Sequence, residues 1–344
     1  MTYGTLLKAS VAALALTTTT ALAEGELNIF SWGNYTPPYL IEKFELAYDV
    51  KVTVTEYDSS DAAMAKVKAG GHGFDVVVPT HSFVPLWISE GLIEESRPDQ
   101  MENFANVDPQ WVDVDWDPGR RYTVPYQWGT TGILVHTGTY DGDINTSSVI
   151  FDTPGALKGQ INVVPEMQDV MNIAIFYYGG EQCTEDLDLL RKVRDGMTQA
   201  KKDWIGIDYP AFEKFINEDI LGSIFWNGAS MRIRTDNDKF AYGYPKEGYP
   251  VWQDVVAVLA DARNPENARL YQNFIMAPEN AALISNFARY SNGILGSEEF
   301  MDPDLIGAPE LVIPDDLVSA GHFTKLCAPE TQELYTRIWT EIQK

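Results

Sequence analysis

The position with the most chemical content is Asp254, in the run Val251, Trp252, Gln253, Asp254, Val255, Val256, Ala257, Val258. Strand periodicity puts Trp252, Asp254, Val256 and Val258 on one face, so a carboxylate stands beside an indole on an otherwise apolar surface. Buried there, an ionised carboxylate needs a partner, either an internal lysine or arginine or a cation carried by a ligand. A second group is Ser31, Trp32, Gly33, Asn34 and Tyr35, stiffened by Pro37 and Pro38. Two aromatic rings at the carboxyl end of a strand can wall in an ammonium through cation–π attraction, worth roughly 0.5 to 2 kcal/mol each. Trp226, before Asn227, Gly228 and Ala229, repeats the arrangement, and Tyr290 precedes Ser291, Asn292 and Gly293. Each ring taken alone is more often a core residue than part of a cage; their shared placement at strand ends is what favours a ligand. Thr80 and Ser82 follow an apolar strand and offer hydroxyls either to a ligand or to a helix cap. Glu166 and Asp169 flank a helix start, where an acid also complements the helix dipole.

The elements that must position these groups form a repeating pattern. Leu27 to Phe30, Val52 to Tyr57 and Phe74 to Val78 read as strands, with helices over Tyr39 to Tyr48 and Ala62 to Ala69 between them. A second series has strands at Gln160 to Val164 and Leu221 to Trp226 and a helix at Asp169 to Tyr178. Val251 to Leu259 reads as a strand, and Glu279 to Phe287 as a helix opened by Pro278. Alternating strands and helices predict α/β architecture with parallel sheets covered on both faces, and ligands on such sheets bind beyond the carboxyl ends of the strands.

The chain begins with Lys8, an apolar run Ala9 to Leu16, a threonine tract and Ala21, Leu22, Ala23, the order of a secretory signal peptide cleaved after Ala23. That leaves 344 − 23 = 321 residues, enough for two domains with a cleft between them. Removing Lys8 takes the formal charge from −25 to −26. Such an excess repels nucleic acid and anionic lipid and attracts small cations; it also simply keeps an exported protein soluble. In an oxidising compartment Cys183 and Cys327, the two cysteines, make one disulfide or remain as two buried thiols; export and the single available pairing favour the bridge.

Asn28 to Tyr35 (NIFSWGNY), Gly73 to Phe83 (GFDVVVPTHSF), Tyr122 to Ile133 (YTVPYQWGTTGI), Ile224 to Gly228 (IFWNG), Tyr244 to Asp254 (YPKEGYPVWQD) and Arg289 to Asn292 (RYSN) together resemble the spermidine/putrescine-binding periplasmic proteins. The resemblance implies a two-lobed periplasmic-binding-protein fold of type II, each lobe a mostly parallel sheet flanked by helices, with a hinge between lobes. The corresponding division is residues 1–23 as signal peptide, 24–130 plus 246–295 as lobe 1, and 131–245 plus 296–344 as lobe 2. It also implies a periplasmic monomer that needs no cofactor and hands a polyamine to an inner-membrane ABC permease. The family's aromatic box maps onto Trp32, Tyr35, Trp226, Trp252 and Tyr290, its acids onto Asp254, Asp169 and Glu166, and its hydroxyl contacts onto Thr80 and Ser82. Gly33 and Asn34 depart from the usual Ser or Thr followed by an acid, and Ala229 replaces an acid of putrescine-type members. A longer amine such as spermidine is therefore expected to bind at least as well as putrescine.

Other classes fit less well. His72, His81, His136 and His322 form no H-E-x-x-H pattern, and no G-x-S-x-G elbow occurs, so an enzyme is not expected. Asp113 to Gly119 resembles the start of a calcium loop, but its glycine is one position late and Val124 stands where the bidentate Glu belongs, which favours a polar turn. A quaternary ammonium cannot donate N–H bonds to carboxylates. An amino acid needs a positive group for its own carboxylate, and the motifs contain no arginine except Arg289.

Overall fold

The computed structural model describes residues 25–344, so the signal-peptide reading lies outside the described residues. Ten strands form the sheet framework: β1 (Gly25–Trp32), β2 (Val50–Tyr57), β3 (Val76–Val77), β4 (Thr123–His136), β5 (Ile161–Val163), β6 (Trp204–Ile207), β7 (Gly222–Trp226), β8 (Phe240–Gly243), β9 (Tyr249–Val258) and β10 (Gly321–Phe323). Their order is β2-β1-β3-β9-β4-β7-β5-β6, with β10 added to β9 and β8 to β4. The path has the same arrangement at each end. In β2-β1-β3 the strands are parallel and β9 joins antiparallel; β6, β5 and β7 are likewise parallel and β4 joins antiparallel.

Strand β4 connects the two ends. Thr123 to Thr130 pair with β9, and Thr131 to Val135 pair with β7. The sequence pattern did not reveal this strand, because Pro125 and the nearby glycines interrupt its alternation, and the ladder shifts register between Pro125 and Gln127. Strand β3 is shorter than Phe74 to Val78 suggested, although Asp75 and Val78 continue the ladder through N–H bonds to the carbonyls of Asn28 and Phe30 at 2.7 and 3.1 Å.

Apolar alternation decides which side each strand buries. Along β9, Trp252, Val256 and Val258 enter one core with the helices Pro38–Tyr48, Pro265–Ile275 and Pro278–Ala288, while Val255 and Ala257 face another with Ala63, Met64, Val67 and Trp87. A separate core gathers β5, β7 and the second half of β4 around the helices Met167–Tyr177, Leu187–Ala200 and Pro329–Gln343. Met167 to Phe176 are all buried, as expected of a helix apolar on every side. Cys183 and Cys327 are joined, with their Cα atoms 5.1 Å apart, pinning the loop after that helix to the segment before Pro329–Gln343.

Asp117 shows what the acidic 113–119 segment does. Its carboxylate accepts the backbone N–H groups of Arg121, Tyr122 and Thr123 at 3.0, 3.2 and 2.8 Å, so it organises a turn at the entry to β4. Among the described residues no group of three or more His, Cys, Asp or Glu side chains is arranged to hold a metal, and no helix is long and apolar enough to cross a membrane.

Candidate binding site

The rings sit at strand ends because the parallel ladders terminate together. Trp32 ends β1 and is register-paired with Tyr57, which ends β2; their ring centroids are 4.6 Å apart. Trp226 ends β7 in an extended conformation and the helix Asn227–Asp236 begins at the next residue. Tyr290 follows Arg289, whose left-handed backbone (φ 66°) closes the helix Pro278–Ala288, and Ser291 then anchors the loop by accepting the Trp128 N–H at 2.8 Å. Two glycines permit the close approach of these pieces. A Cβ on Gly129 would lie 2.3 Å from Asn227 Oδ1 and 2.9 Å from the Trp252 ring, and one on Gly228 would lie 2.6 Å from the Tyr290 ring.

The resulting cavity encloses about 590 Å³ of space between the atoms, counting the part open to solvent. Trp32, Tyr35, Thr80, Glu166, Asp169, Trp226, Trp252, Asp254 and Tyr290 all line it. Ser82 does not: its hydroxyl donates to Gln168 Oε1 at 2.7 Å and acts one layer behind the wall, on a residue that lines the cavity. Neither Thr80 nor Ser82 caps a helix through its side chain.

Each acid is held by neutral donors. Asp254 accepts the Tyr35 hydroxyl at 2.8 Å and the Thr80 hydroxyl at 2.5 Å. Asp169 accepts the Thr131 hydroxyl at 2.6 Å and the Trp226 indole N–H at 3.0 Å. Glu166 accepts the Ser60 backbone N–H at 2.9 Å. Among the described residues none of the three has a lysine, arginine or histidine nitrogen within 4 Å, so the internal ion pair considered for Asp254 is absent there. Burial pushes the Asp254 carboxyl up to about 7, against the opposing hydrogen bonds from Thr80 and Tyr35. Glu166 and Asp169 are raised for the same reason, Glu166 further by the charge of Asp169 and Asp169 against its bonds from Thr131 and Trp226.

The rings close the box around these acids. Trp252 stands 5.2 Å from Tyr290, Tyr35 5.6 Å from Tyr290, and Trp32 6.2 Å from Trp226. Hydrogen bonds cross between the elements on either side: Ser60 N–H to Glu166, Ser82 to Gln168, and Ala229 N–H to the Tyr290 hydroxyl at 3.2 Å. Glu166, at 6% exposed, is as buried as Asp254 at 5%, because the helix Ser60–Lys68 packs its N-terminus over it.

Sequence reasoning missed several lining residues. Tyr57 and Tyr209 obey the strand-end rule already applied to Trp32, since Tyr57 ends β2 and Tyr209 lies just beyond β6. Gln168 lies between two named acids. Arg232, on the outgoing helix after Trp226, lies outside the motifs and carried no signal, yet it lines the cavity. Arg289 instead pairs with Asp302 and Asp304 at 3.2 and 3.0 Å.

Comparison with known proteins is consistent with this geometry. The family model for bacterial extracellular solute-binding proteins matches residues 39–310. The spermidine/putrescine-binding periplasmic protein of Escherichia coli is 28% identical over 324 residues, covering 92% of both chains. A putrescine-binding periplasmic protein of Escherichia coli is 25% identical over 347 residues, covering 94% of this chain and 93% of its own. A solved structure described as a putative spermidine/putrescine ABC transporter from Listeria monocytogenes superposes with a TM-score of 0.85 at 24% identity, covering 92% of this chain and 98% of its own. The fold is the type II periplasmic-binding fold, with β4 and β9 running between its two halves.

Proposed function

The chain belongs to the bacterial extracellular solute-binding proteins, and from that premise we propose that it is the periplasmic receptor of an ABC importer and captures a polyamine. The observation that carries this reading is the set of three buried carboxylates, held by hydroxyl, indole and backbone donors but by no protein cation among the described residues, inside a box of aromatic rings. Ammonium groups supply the missing positive charge and N–H donors, and their methylenes lie against the rings. Relatives named for spermidine and putrescine binding support the same ligand class.

The lobes on this reading are residues 24–130 plus 246–295 and 131–245 plus 296–344. The ligand is bound and released without chemical change, and the protein acts as a monomer that docks on a membrane permease and has no business with nucleic acid. Thermal-shift screening followed by calorimetry against putrescine, spermidine, choline, glycine betaine and amino acids tests it. Selective stabilisation by polyamines is expected. Stabilisation by betaine, choline or an amino acid alone would replace the ligand assignment.

A further inference from the structure

We propose that Gln127 is a positioning residue for Asp254, its side-chain amide donating to the carboxylate once a ligand ammonium pairs with that acid. The inference rests on the amine-binding reading above and deepens it.

Gln127 belongs to β4 and is register-paired with Asp254 of β9. Residues directly opposite in an antiparallel pair share a face of the sheet, with Cβ atoms roughly 4.5 to 5.5 Å apart. Gly129, two positions on, fixes which face this is: it pairs with Trp252, and a Cβ there would lie 2.9 Å from the Trp252 ring. Thr131, two further, bonds Asp169 and Trp252 at 2.6 and 3.2 Å. On the other side of β9, Thr80 forms an antiparallel bridge with Asp254. Thr80, Asp254 and Gln127 therefore make one row across the sheet, with the acid in the middle.

The two residues that flank the acid are used differently. Thr80 donates its hydroxyl to Oδ1 at 2.5 Å, while Tyr35 reaches Oδ2 at 2.8 Å. Gln127 is 1% exposed, and neither its Oε1 nor its Nε2 has a hydrogen-bond partner among the described residues. It does not line the cavity, so its free amide lies beside the acid and out of the ligand's path. An ionised carboxylate offers about four lone-pair sites, of which Tyr35 and Thr80 take two. A ligand ammonium takes a third, and Gln127 is the unspent donor next to the fourth. Its hydrogen bond is about twice as strong to a charged acceptor as to a neutral one, so the gain arrives with the ligand's charge. In the empty protein the same amide is a buried polar group without a partner, which is unfavourable. A group that costs stability when the cleft is empty and is repaid on binding serves recognition rather than the fold.

Melting curves and calorimetry of wild type, Gln127→Met and Gln127→Leu with spermidine and putrescine at pH 8 test the assignment, each change being made also in Asp254→Asn. Both changes remove the amide at similar volume, so the empty protein should melt higher than wild type. Polyamine affinity should fall roughly tenfold or more, as expected for the loss of a charge-assisted hydrogen bond. In Asp254→Asn, followed by thermal shift up to millimolar spermidine, the same changes should cost much less, since no carboxylate remains to receive the amide. Unchanged affinity in both variants would make the amide an unused group. A lower melting temperature in both would give it a role in the fold through an internal water, and an equal loss of affinity with and without Asp254 would uncouple it from the acid. Any of these three results overturns the inference while amine binding stands. If no polyamine binds wild type, both readings fall.

Discussion

Replacing Asp254 by Asn separates recognition from stability, because the same burial that makes the carboxylate useful makes it costly. In the folded protein its carboxyl is raised from 3.8 to about 7, burial being the largest cause. A raised folded value means that the neutral acid is the form the fold prefers. Stability is therefore fully present below the unfolded value near 4 and is lost as pH rises through about 7. At pH 8 the ionised group opposes folding by on the order of 4 kcal/mol, which sets an upper bound on what Asn can restore. The amide is close in shape to the protonated acid and can still meet the Tyr35 and Thr80 hydroxyls. Asp254→Asn without ligand should thus melt several degrees higher than wild type at pH 8 and at nearly the same temperature at pH 4. Polyamine affinity should move the other way. Losing one side of a desolvated, hydrogen-bonded charge pair costs about 2 to 5 kcal/mol, or roughly 30-fold to several thousand-fold. Glu166→Gln should cost less, since burial and the Asp169 charge already bias Glu166 toward its neutral form. Calorimetry and melting curves decide the matter: near wild-type affinity in Asp254→Asn, or a lower melting temperature at pH 8, would refute the reasoning.

Three further outcomes follow from the same geometry. Binding of a cation should release protons near pH 7, because carboxyls raised by burial must ionise to pair with it; affinity should climb from pH 6 to pH 8, and titrations in buffers of different ionisation enthalpy should show the released protons. Ligand should draw the two halves together, since the box takes residues from both, so solution scattering should show a smaller radius of gyration at saturation, and an unchanged profile would argue against closure. Reducing the Cys183–Cys327 bridge, which spans 144 residues, should lower stability by about 2 to 5 kcal/mol; intact mass of periplasmic protein should show an oxidised pair beginning after Ala23, and two alkylatable thiols would refute the bridge.

The parts of the site that were legible in the sequence are those whose position follows from strand periodicity. Trp32, Trp226 and Asp254 could be placed because a strand's end and a strand's face are local properties. Tyr57 was within reach of the same rule, since it closes a strand legible in the sequence, whereas Tyr209 follows the short strand β6, which carries no alternation of its own. Strand β4 was hidden by Pro125 at its register shift and by glycines whose reason is tertiary: Gly129 is needed for the closeness of Trp252 and Asn227, which no local pattern encodes. Arg232 and the cover that Ser60 lays over Glu166 arise only when segments far apart in the chain meet.

Closure and recognition are one event in this site because the groups that close it also dry the acids. The N–H of Ser60 reaches Glu166 and Tyr290 reaches Ala229 across the cleft, so bringing the halves together removes water from the carboxylates. Tyr35, Thr80, Thr131 and Trp226 return only neutral donors, and burial still raises all three acids. Drying ionised carboxylates therefore opposes closure until positive charge enters with them. An ammonium removes that opposition most effectively where the acids are driest, while its methylenes fill the space between the rings. A neutral molecule of the same shape would gain the ring contacts but leave the carboxylates unpaired, so discrimination by charge comes from the cost of closing the cleft without a cation.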